Sequence, residues 1–172
     1  MKFKNPLLVV TDIEKSKAFY KKVLGLHVIT DFGANVTLTG GICLQTIETY
    51  ASFINASTES ITFGGNNAEI YFEEENFDVF IDKLNNIEQL EYVHNVKEHT
   101  WGQRVVRFYD PDKHIIEVGE DIKMVCRRFL DSGMSVEAVA KRMDVPVQFV
   151  NACNRTGKQR TRTGSIPEDN NG

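Results

Sequence analysis

The sequence has only three cysteines, one tryptophan and four prolines, and it has no long apolar run. Cys43, Cys126 and Cys153 are odd in number and show no CxxC spacing. This pattern argues against a disulfide framework or a structural zinc site and is typical of a protein in a reducing cytoplasm. No apolar stretch approaches the roughly 18 residues of a membrane-spanning helix, and residues 1–5 lead into a strand-like segment without a secretory signal. We therefore expect a cytoplasmic protein with no membrane partner.

Acidic and basic residues are unevenly distributed along the chain. The net charge of the 172 residues is −4. Residues 1–122 carry 11 Lys and Arg against 19 Asp and Glu, whereas residues 123–172 carry 9 against 5. Because a negative field repels nucleic acid, only the C-terminal part of the chain is a candidate for binding it.

An internal repeat organises the first two thirds of the chain. A strand, a helix and three strands are predicted in that order, and the same order returns after a polar loop at about 48–67. Asp12 can cap the first helix, and Asn76 or Asp78 can start the second. The repeat predicts an α+β fold of two βαβββ modules. The predicted strands are 6–11, 26–31, 35–39, 42–47, 69–73, 92–96, 104–109 and 115–118.

The pattern changes to a helical one after Glu120. Apolar spacing predicts helices that begin near Ile122 and Ser135, and Pro146 lies near the start of a third. The sequence from Arg155 onward is polar and shows no periodicity, so a disordered tail is expected. The predicted organisation is a main domain at 1–121, a C-terminal helical extension at 122–154 and a disordered tail at 155–172.

Two segments of the main domain resemble those of a known superfamily. They are NPLLVVTDIEKSKAFYKKVLGL at 5–26 and RFYDPDKHIIEVGE at 107–120. Together they are similar to the opening strand and helix and the closing hairpin of the vicinal oxygen chelate superfamily, which includes glyoxalases, bleomycin-resistance proteins and extradiol dioxygenases. The resemblance covers about residues 3–121 and implies that the two modules form a cupped mixed sheet around a small-molecule site. It implies a fold rather than a reaction, because members include lyases, isomerases, dioxygenases, thiol transferases and drug-sequestering proteins.

The resemblance also implies where metal-using members would hold a divalent ion. The ligand positions fall on Asn5, Glu69 and Glu117, and a fourth position used by some members falls on Gln45. The superfamily most often has histidine at the first two positions, and neither is histidine in this sequence. An all-oxygen set suits Mn, Mg or Ca better than Zn. The alternative is that Arg107 pairs with Glu69 or Glu117 and neutralises the site without a metal.

Strand alternation predicts which side chains face the concave side of the sheet. If Glu117 faces inward, Glu69 and Tyr71 share its face on the fifth strand, and Gln103, Arg107 and Tyr109 share it on the seventh. We predict Glu117, Glu69 and His99 as catalytic residues. The predicted substrate-binding residues are Arg107, Tyr109, Tyr71, Trp101 and Gln103.

The loop at 99–104 is the most individual segment of the sequence. His99 can act as an acid or a base, and Trp101 can stack on a ligand or close over it. The alternative is that Trp101 anchors the loop in an apolar gap while His99 is solvated.

The leading hypothesis for function is a small-molecule-binding protein of this superfamily that acts on a small polar or anionic ligand. One form of it is a divalent-metal-dependent lyase, isomerase or dioxygenase; the alternative is a non-catalytic ligand-binding or drug-sequestering protein. A homodimer is expected because superfamily members commonly pair modules between subunits.

A third hypothesis is a ligand-sensing regulator that uses its C-terminal helices. The segment GMSVEAVAKRMDVPVQFV at 133–150 resembles the helix-turn-helix half of many bacterial regulators. The sequence alone does not favour nucleic acid as a partner, because Gln148 is the only base-reading side chain it offers on the second helix.

Overall fold

Eight strands and six α-helices follow one another within residues 1–162, which the computed structural model describes, with side chains described up to residue 154. The α+β fold of two βαβββ modules is confirmed. The first module comprises β1 (Leu7–Val10), α1 (Ile13–Leu24), β2 (Val28–Asp31), β3 (Asn35–Leu38) and β4 (Ile42–Thr46). The second comprises β5 (Glu69–Glu74), α3 (Phe77–Asn85), β6 (Tyr92–Glu98), β7 (Arg104–Tyr109) and β8 (Ile115–Glu120). The C-terminal helices are α4 (Ile122–Asp131), α5 (Val136–Met143) and α6 (Val147–Arg162).

The strands are divided between two four-stranded sheets, one for each module. Their orders are β1-β4-β3-β2 and β5-β8-β7-β6, so the two modules repeat one topology. In the first sheet β1 runs parallel to β4, and β3 runs antiparallel to both β4 and β2. In the second sheet this order places β8, which carries Glu117, between β5, which carries Glu69, and β7, which carries Arg107.

Two segments differ from the sequence prediction. The helix α2 (Ile47–Phe53) and a 3₁₀ turn (Thr58–Ser60) lie in the stretch predicted as a loop. Helix α6 continues to Arg162, past Arg155, where the predicted tail starts. The rest of the predicted tail, 163–172, lies outside the described residues. No helix in the described part of the chain is long and apolar enough to cross a membrane.

The chain divides into two compact units. The first consists of residues 1–72, 78–95 and 107–117, and the second of residues 73–77, 96–106 and the chain from 118 onward. The buried core of the first unit includes Val10, Tyr20, Leu44, Phe108 and Ile116. The second unit has its own core, to which α4, α5 and α6 contribute.

The turn between β7 and β8, with the sequence Asp110-Pro111-Asp112 (the DPD turn), stabilises the first unit through hydrogen bonds. Asp110 is 3% exposed, and its carboxylate accepts hydrogen bonds from the Tyr20 hydroxyl at 2.9 Å and from the His114 backbone N–H at 2.8 Å. Asp112 is also buried and accepts a hydrogen bond from the Thr11 backbone N–H just before α1. These bonds join the closing hairpin to the opening helix and the residue before it.

We expect Tyr20→Phe to lower the free energy of unfolding by about 1–2 kcal/mol, because the variant removes a hydrogen bond to a buried carboxylate. Chemical denaturation at neutral pH measures this loss. Tyr109→Phe is the matched control, since its hydroxyl donates to Asn66 at an exposed position. Equal melting of the two variants would contradict the role given to the Asp110 carboxylate.

Candidate functional site

Arg107 lies between two carboxylates on the second sheet. Its Nε donates a hydrogen bond to Glu69 Oε2 at 2.8 Å, and its Nη2 forms an ion pair with Glu117 Oε2. Because β8 lies between β5 and β7, the three side chains come from three neighbouring strands and meet on one face. We call Glu69, Arg107 and Glu117 the Arg107 cluster. Strand alternation predicted this convergence.

The two carboxylates of the cluster have different environments. The Glu117 side chain is 8% exposed, whereas the Glu69 side chain is 39% exposed. Burial raises the pKa of Glu117, and the neighbouring Arg107 charge only partly offsets this effect. The hydrogen bond from Arg107 lowers the pKa of Glu69. The cluster therefore combines one carboxyl group with a raised pKa, Glu117, and one with a lowered pKa, Glu69.

His94 is a fourth member of this face that the sequence analysis missed. Arg107 Nη1 lies 3.1 Å from His94 Nε2, and His94 Nδ1 lies 2.7 Å from the carbonyl oxygen of Asn95. Because a guanidinium only donates, His94 Nε2 must accept, and the ring proton is on Nδ1. In this arrangement His94 Nε2 faces the Arg107 cluster as a hydrogen-bond acceptor. His94 lies on β6, which neighbours β7 in the sheet. Strand alternation along β6 is the signal that could have placed it on this face.

The predicted amide ligands Asn5 and Gln45 are held within the first module. Asn5 Nδ2 donates to the carbonyl oxygen of Gly41 at 2.8 Å, and Asn5 precedes β1 rather than lying in it. Gln45 is 4% exposed, and its Nε2 donates to the Thr49 hydroxyl at 3.2 Å. Both amides thus bond to first-module groups, unlike the Arg107 cluster carboxylates.

The predicted substrate-binding tyrosines occupy different surroundings. Tyr71 on β5 is 47% exposed. Tyr109 donates its hydroxyl to Asn66 at 3.1 Å and helps to line a cleft of 330 Å³ beside α1. That cleft is also lined by Lys15, Lys22 and Glu91 and does not include Arg107, Glu69 or Glu117.

The predicted rim residues belong to the second unit. The His99 and Trp101 rings are stacked, with centroids 4.2 Å apart and planes at 11°. Gln103 is buried, accepts a hydrogen bond from Trp101 Nε1 at 3.3 Å and donates to the carbonyl oxygen of Glu120 at 2.9 Å. Trp101 remains 37% exposed. These contacts favour an anchored loop with an accessible Trp101 face. The catalytic and substrate-binding roles of this loop remain predictions.

Comparisons with known proteins identify the family. The sequence model of the glyoxalase-like domain matches residues 3–123. The chain belongs to the glyoxalase-like domain family. The expected likeness to the vicinal oxygen chelate superfamily is thereby confirmed. No curated protein matches the chain.

Solved structures agree with this membership. A protein of unknown function from Agrobacterium tumefaciens C58 is 37% identical, with 71% of this chain and 95% of that chain covered and a TM-score of 0.63. A glyoxalase/bleomycin resistance protein/dioxygenase family enzyme from Burkholderia phytofirmans is 19% identical, covering 68% and 96%, with a TM-score of 0.59. A lactoylglutathione lyase from A. tumefaciens is 21% identical, covering 70% and 93%, with a TM-score of 0.53. The latter two likenesses show the fold alone.

The residues of this glyoxalase-like domain do not fit the divalent ion that metal-using members hold. The Arg107 guanidinium already contacts both Glu69 and Glu117, and a metal bound by these two carboxylates would have to displace it. The Asn5 and Gln45 amides bond elsewhere. Among the described residues, no group of three His, Cys, Asp or Glu is placed to hold a metal ion. The Arg107 cluster has the form of the ion-pair alternative.

The opposite pKa directions of the cluster predict opposite effects of pH. The folded-state pKa of Glu117 is raised above its unfolded value, so its stabilising contribution is complete below the unfolded pKa and is lost as pH rises through the folded-state pKa. The folded-state pKa of Glu69 is lowered, so its stabilising contribution is present above the unfolded pKa and is lost as pH falls through the folded-state pKa.

Urea unfolding between mildly acidic and neutral pH tests this prediction. Relative to the wild type, Glu117→Gln should gain stability as the pH rises, because the variant lacks the carboxyl that must ionise in a buried place. Glu69→Gln should show the reverse trend and serves as the control. A Glu117→Gln profile parallel to that of the wild type would contradict the raised pKa.

Proposed function

We propose that this glyoxalase-like protein binds a small polar or anionic molecule at the Arg107 cluster without a metal ion. The observation that carries the proposal is the guanidinium shared by a buried and a half-exposed carboxylate on one sheet face. Burying a carboxylate is costly even when it is paired, and perturbed carboxyl groups are more frequent at functional sites than elsewhere. The exposure of Glu69 leaves the cluster reachable from solvent.

The cluster suggests how an anionic ligand would enter. A ligand carboxylate or phosphate could replace Glu69 on the Nε side of Arg107 and accept two parallel hydrogen bonds from the guanidinium. The displaced Glu69 would return to water at little cost, because half-exposed ion pairs contribute little stability. Glu117 would remain beneath as the buried counter-charge. The exposed Tyr71 ring on β5 is the predicted apolar contact for such a ligand.

A second candidate function is proton transfer on the same ligand. The observation that favours it is the divergence of the two carboxyl groups, with the Glu117 pKa raised and the Glu69 pKa lowered. Such a divergence provides one group that can donate a proton and one that can accept it. The A. tumefaciens lactoylglutathione lyase lends this candidate the support of a shared fold only.

A ligand screen on the purified full chain tests the binding proposal. A panel of small carboxylates, phosphates, amides and amines is added, and the rise in melting temperature is measured. We expect stabilisation by a member of the panel to be lost in Arg107→Lys, which keeps the charge but not the guanidinium fork, and to be kept in Lys17→Ala, a surface control. Stabilisation that survives Arg107→Lys would place the ligand elsewhere.

Metal analysis and turnover separate the candidate functions. Treating the protein with a chelator should leave ligand binding unchanged. If removing a metal ion also removed ligand binding, that result would contradict the ion-pair site. For proton transfer, Glu117→Gln should abolish conversion of the bound molecule while leaving its binding. Binding with no conversion in the wild type favours sequestration.

The predicted homodimer remains a proposal, and the first module offers a place to test it. Strand β2 is at an end of its sheet and carries Ile29 at 62% exposure, and Phe32 beyond it is 77% exposed. Exposed apolar edge strands favour pairing with another chain. Sedimentation at micromolar concentration should show a dimer for the wild type and a monomer for Ile29→Lys. A monomeric wild type would overturn the proposal.

A further inference from the structure

Helices α4, α5 and α6 form a three-helix cluster with a core of their own. Each helix contacts the other two. Seven buried side chains make up the core: Val125, Cys126, Val139, Ala140, Met143, Val150 and Cys153. Helices this short are marginal in isolation, so the shared core is what stabilises them. The family model ends at residue 123, so this cluster lies almost entirely beyond the glyoxalase-like domain.

The connection between α5 and α6 is a tight three-residue turn. Helix α5 ends at Met143, and Asp144 adopts the left-handed conformation with φ 54° and ψ 46°. The Val145 backbone N–H donates to the Ala140 carbonyl oxygen at 3.0 Å, which closes the end of α5 before α6 starts at Val147. The small Ala140 is buried in the cluster core. Two packed helices joined by a turn of this length match the connection of a helix-turn-helix motif.

Helix α4 anchors the cluster to the rest of the second unit. Arg128 donates to Glu120 Oε2 at 2.9 Å and to the carbonyl oxygen of Gly102 at 2.6 Å. Gly102 has φ +92°, and a Cβ there would overlap the Phe129 ring. Arg142 on α5 adds a contact, with its Nη2 3.4 Å from Glu98 Oε1. On α6, Val147, Gln148, Ala152 and Asn154 are exposed, and Asn151 is half-buried.

One face of α6 has a composition suited to reading bases. Gln148, Asn151 and Ala152 follow the i, i+3, i+4 spacing of one helix face; Gln148 and Ala152 are exposed, and Asn151 is half-buried. The buried Val150 and Cys153 lie between them on the core side. Glutamine and asparagine can bond bidentately to adenine, and small apolar side chains can contact the thymine methyl group. The sequence pattern predicted Gln148 as the one base-reading side chain. The observed helix adds Asn151 and Ala152 to the same face.

The charge of the segment favours a polyanion over a protein surface. Residues 123–172 carry 9 Lys and Arg against 5 Asp and Glu, in a chain whose net charge is −4. Lys141 on α5 is exposed, and the sequence of α6 continues with Arg155, Lys158, Arg160 and Arg162. Duplex DNA is bound through phosphate contacts of this kind, which position the second helix of the motif in the major groove.

We propose that α5 and α6 form a helix-turn-helix that binds duplex DNA, with Gln148 and Asn151 as base-contacting residues and Lys141 as a phosphate contact. The proposal is independent of the ligand bound at the Arg107 cluster. It assigns the C-terminal extension a function that the glyoxalase-like domain does not supply.

Selection from a library of duplexes with a random core, using the full chain, tests the proposal. We expect enrichment of one sequence, bound with an affinity that falls steeply as salt increases. The double variant Gln148→Ala/Asn151→Ala should lose about tenfold or more in preference for that sequence over a scrambled one. Lys141→Ala should weaken both duplexes alike and reduce the salt slope by about 1. Lys97→Ala, which removes an exposed charge on β6, is the matched control and should retain the preference.

Three outcomes would overturn the proposal. They are no enrichment from the library, an enriched sequence whose preference survives the double variant, and equal binding of all duplexes by wild type and double variant. Melting curves show whether each variant retains its fold. If the double variant unfolds, Gln148→Glu, which places a like charge near the phosphates without removing bulk, replaces it and should abolish binding.

Discussion

The substitution Glu120→Ala should lower the free energy of unfolding by about 2–3 kcal/mol, below the 3–5 kcal/mol of a fully buried pair because the Arg104 and Arg128 side chains left behind are 24% and 34% exposed. The Glu120 side chain is 4% exposed and accepts four hydrogen bonds. Two come from Arg104, at 3.0 and 3.1 Å, and two from Arg128, at 3.1 and 2.9 Å. Removing the carboxylate leaves two neighbouring guanidinium groups, of which Arg128 keeps its longer ion-pair contact with Glu98, at 3.8 Å. Chemical denaturation of the full chain measures the loss.

The pH dependence of this loss gives a second readout. Burial acts to raise the pKa of Glu120, but the hydrogen bonds from Arg104 and Arg128 outweigh it, and the pKa lies below its usual range. The stabilising contribution of Glu120 is therefore present above its unfolded-state pKa and is lost as pH falls through the folded-state pKa. The gap between wild type and Glu120→Ala should narrow in acid.

Glu98→Ala is the matched control for Glu120→Ala. Glu98 also contacts Arg128 and Arg142, but its side chain is 41% exposed, so its removal should cost less than about 1 kcal/mol. Equal losses for the two variants would show that burial does not determine the strength of this ion pair.

Glu120 illustrates what the sequence pattern could and could not predict. Strand periodicity located β8, and the DPD turn identified the hairpin, because both depend on short-range spacing. The Arg104 and Arg128 partners depend on how α4 packs in the second unit, which no local pattern encodes. Helix α2 was missed because its local signals are weak. Ala51 is its one buried residue, and no side-chain hydrogen bond caps its start at Thr46.

The Arg107 cluster was more predictable because alternation alone places its members. Residues 69, 107 and 117 belong to strands whose order follows from the repeated module, so their common face follows from the pleat. Whether the cation between the carboxylates would be a metal or Arg107 depended on side-chain reach across β8, which alternation does not determine. The bond of Asn5 to Gly41 depends on a loop conformation and was equally beyond the pattern.

Arg107→Ala should lower the free energy of unfolding at neutral pH by about 2–3 kcal/mol. Removing the guanidinium leaves Glu69 and the 8% exposed Glu117 on one face without a cation. The loss falls below the 3–5 kcal/mol of a fully buried pair because the Glu69 side chain is 39% exposed and Arg107 is 23% exposed. Arg107 opposes the upward shift of the Glu117 pKa, so without it that pKa should rise further. The variant should therefore regain stability as pH falls and Glu117 takes up a proton.

The double variant Arg107→Ala/Glu117→Gln separates the counter-ion role from lost packing. If Arg107 serves as the cation for Glu117, removing the buried charge as well should restore more than half of the loss, since no uncompensated carboxylate remains. Arg107→Lys should fall between wild type and Arg107→Ala. Melting with and without a chelator completes the test. A wild type that a chelator destabilises, together with an Arg107→Ala variant that melts normally, would show that a divalent ion rather than Arg107 neutralises Glu69 and Glu117.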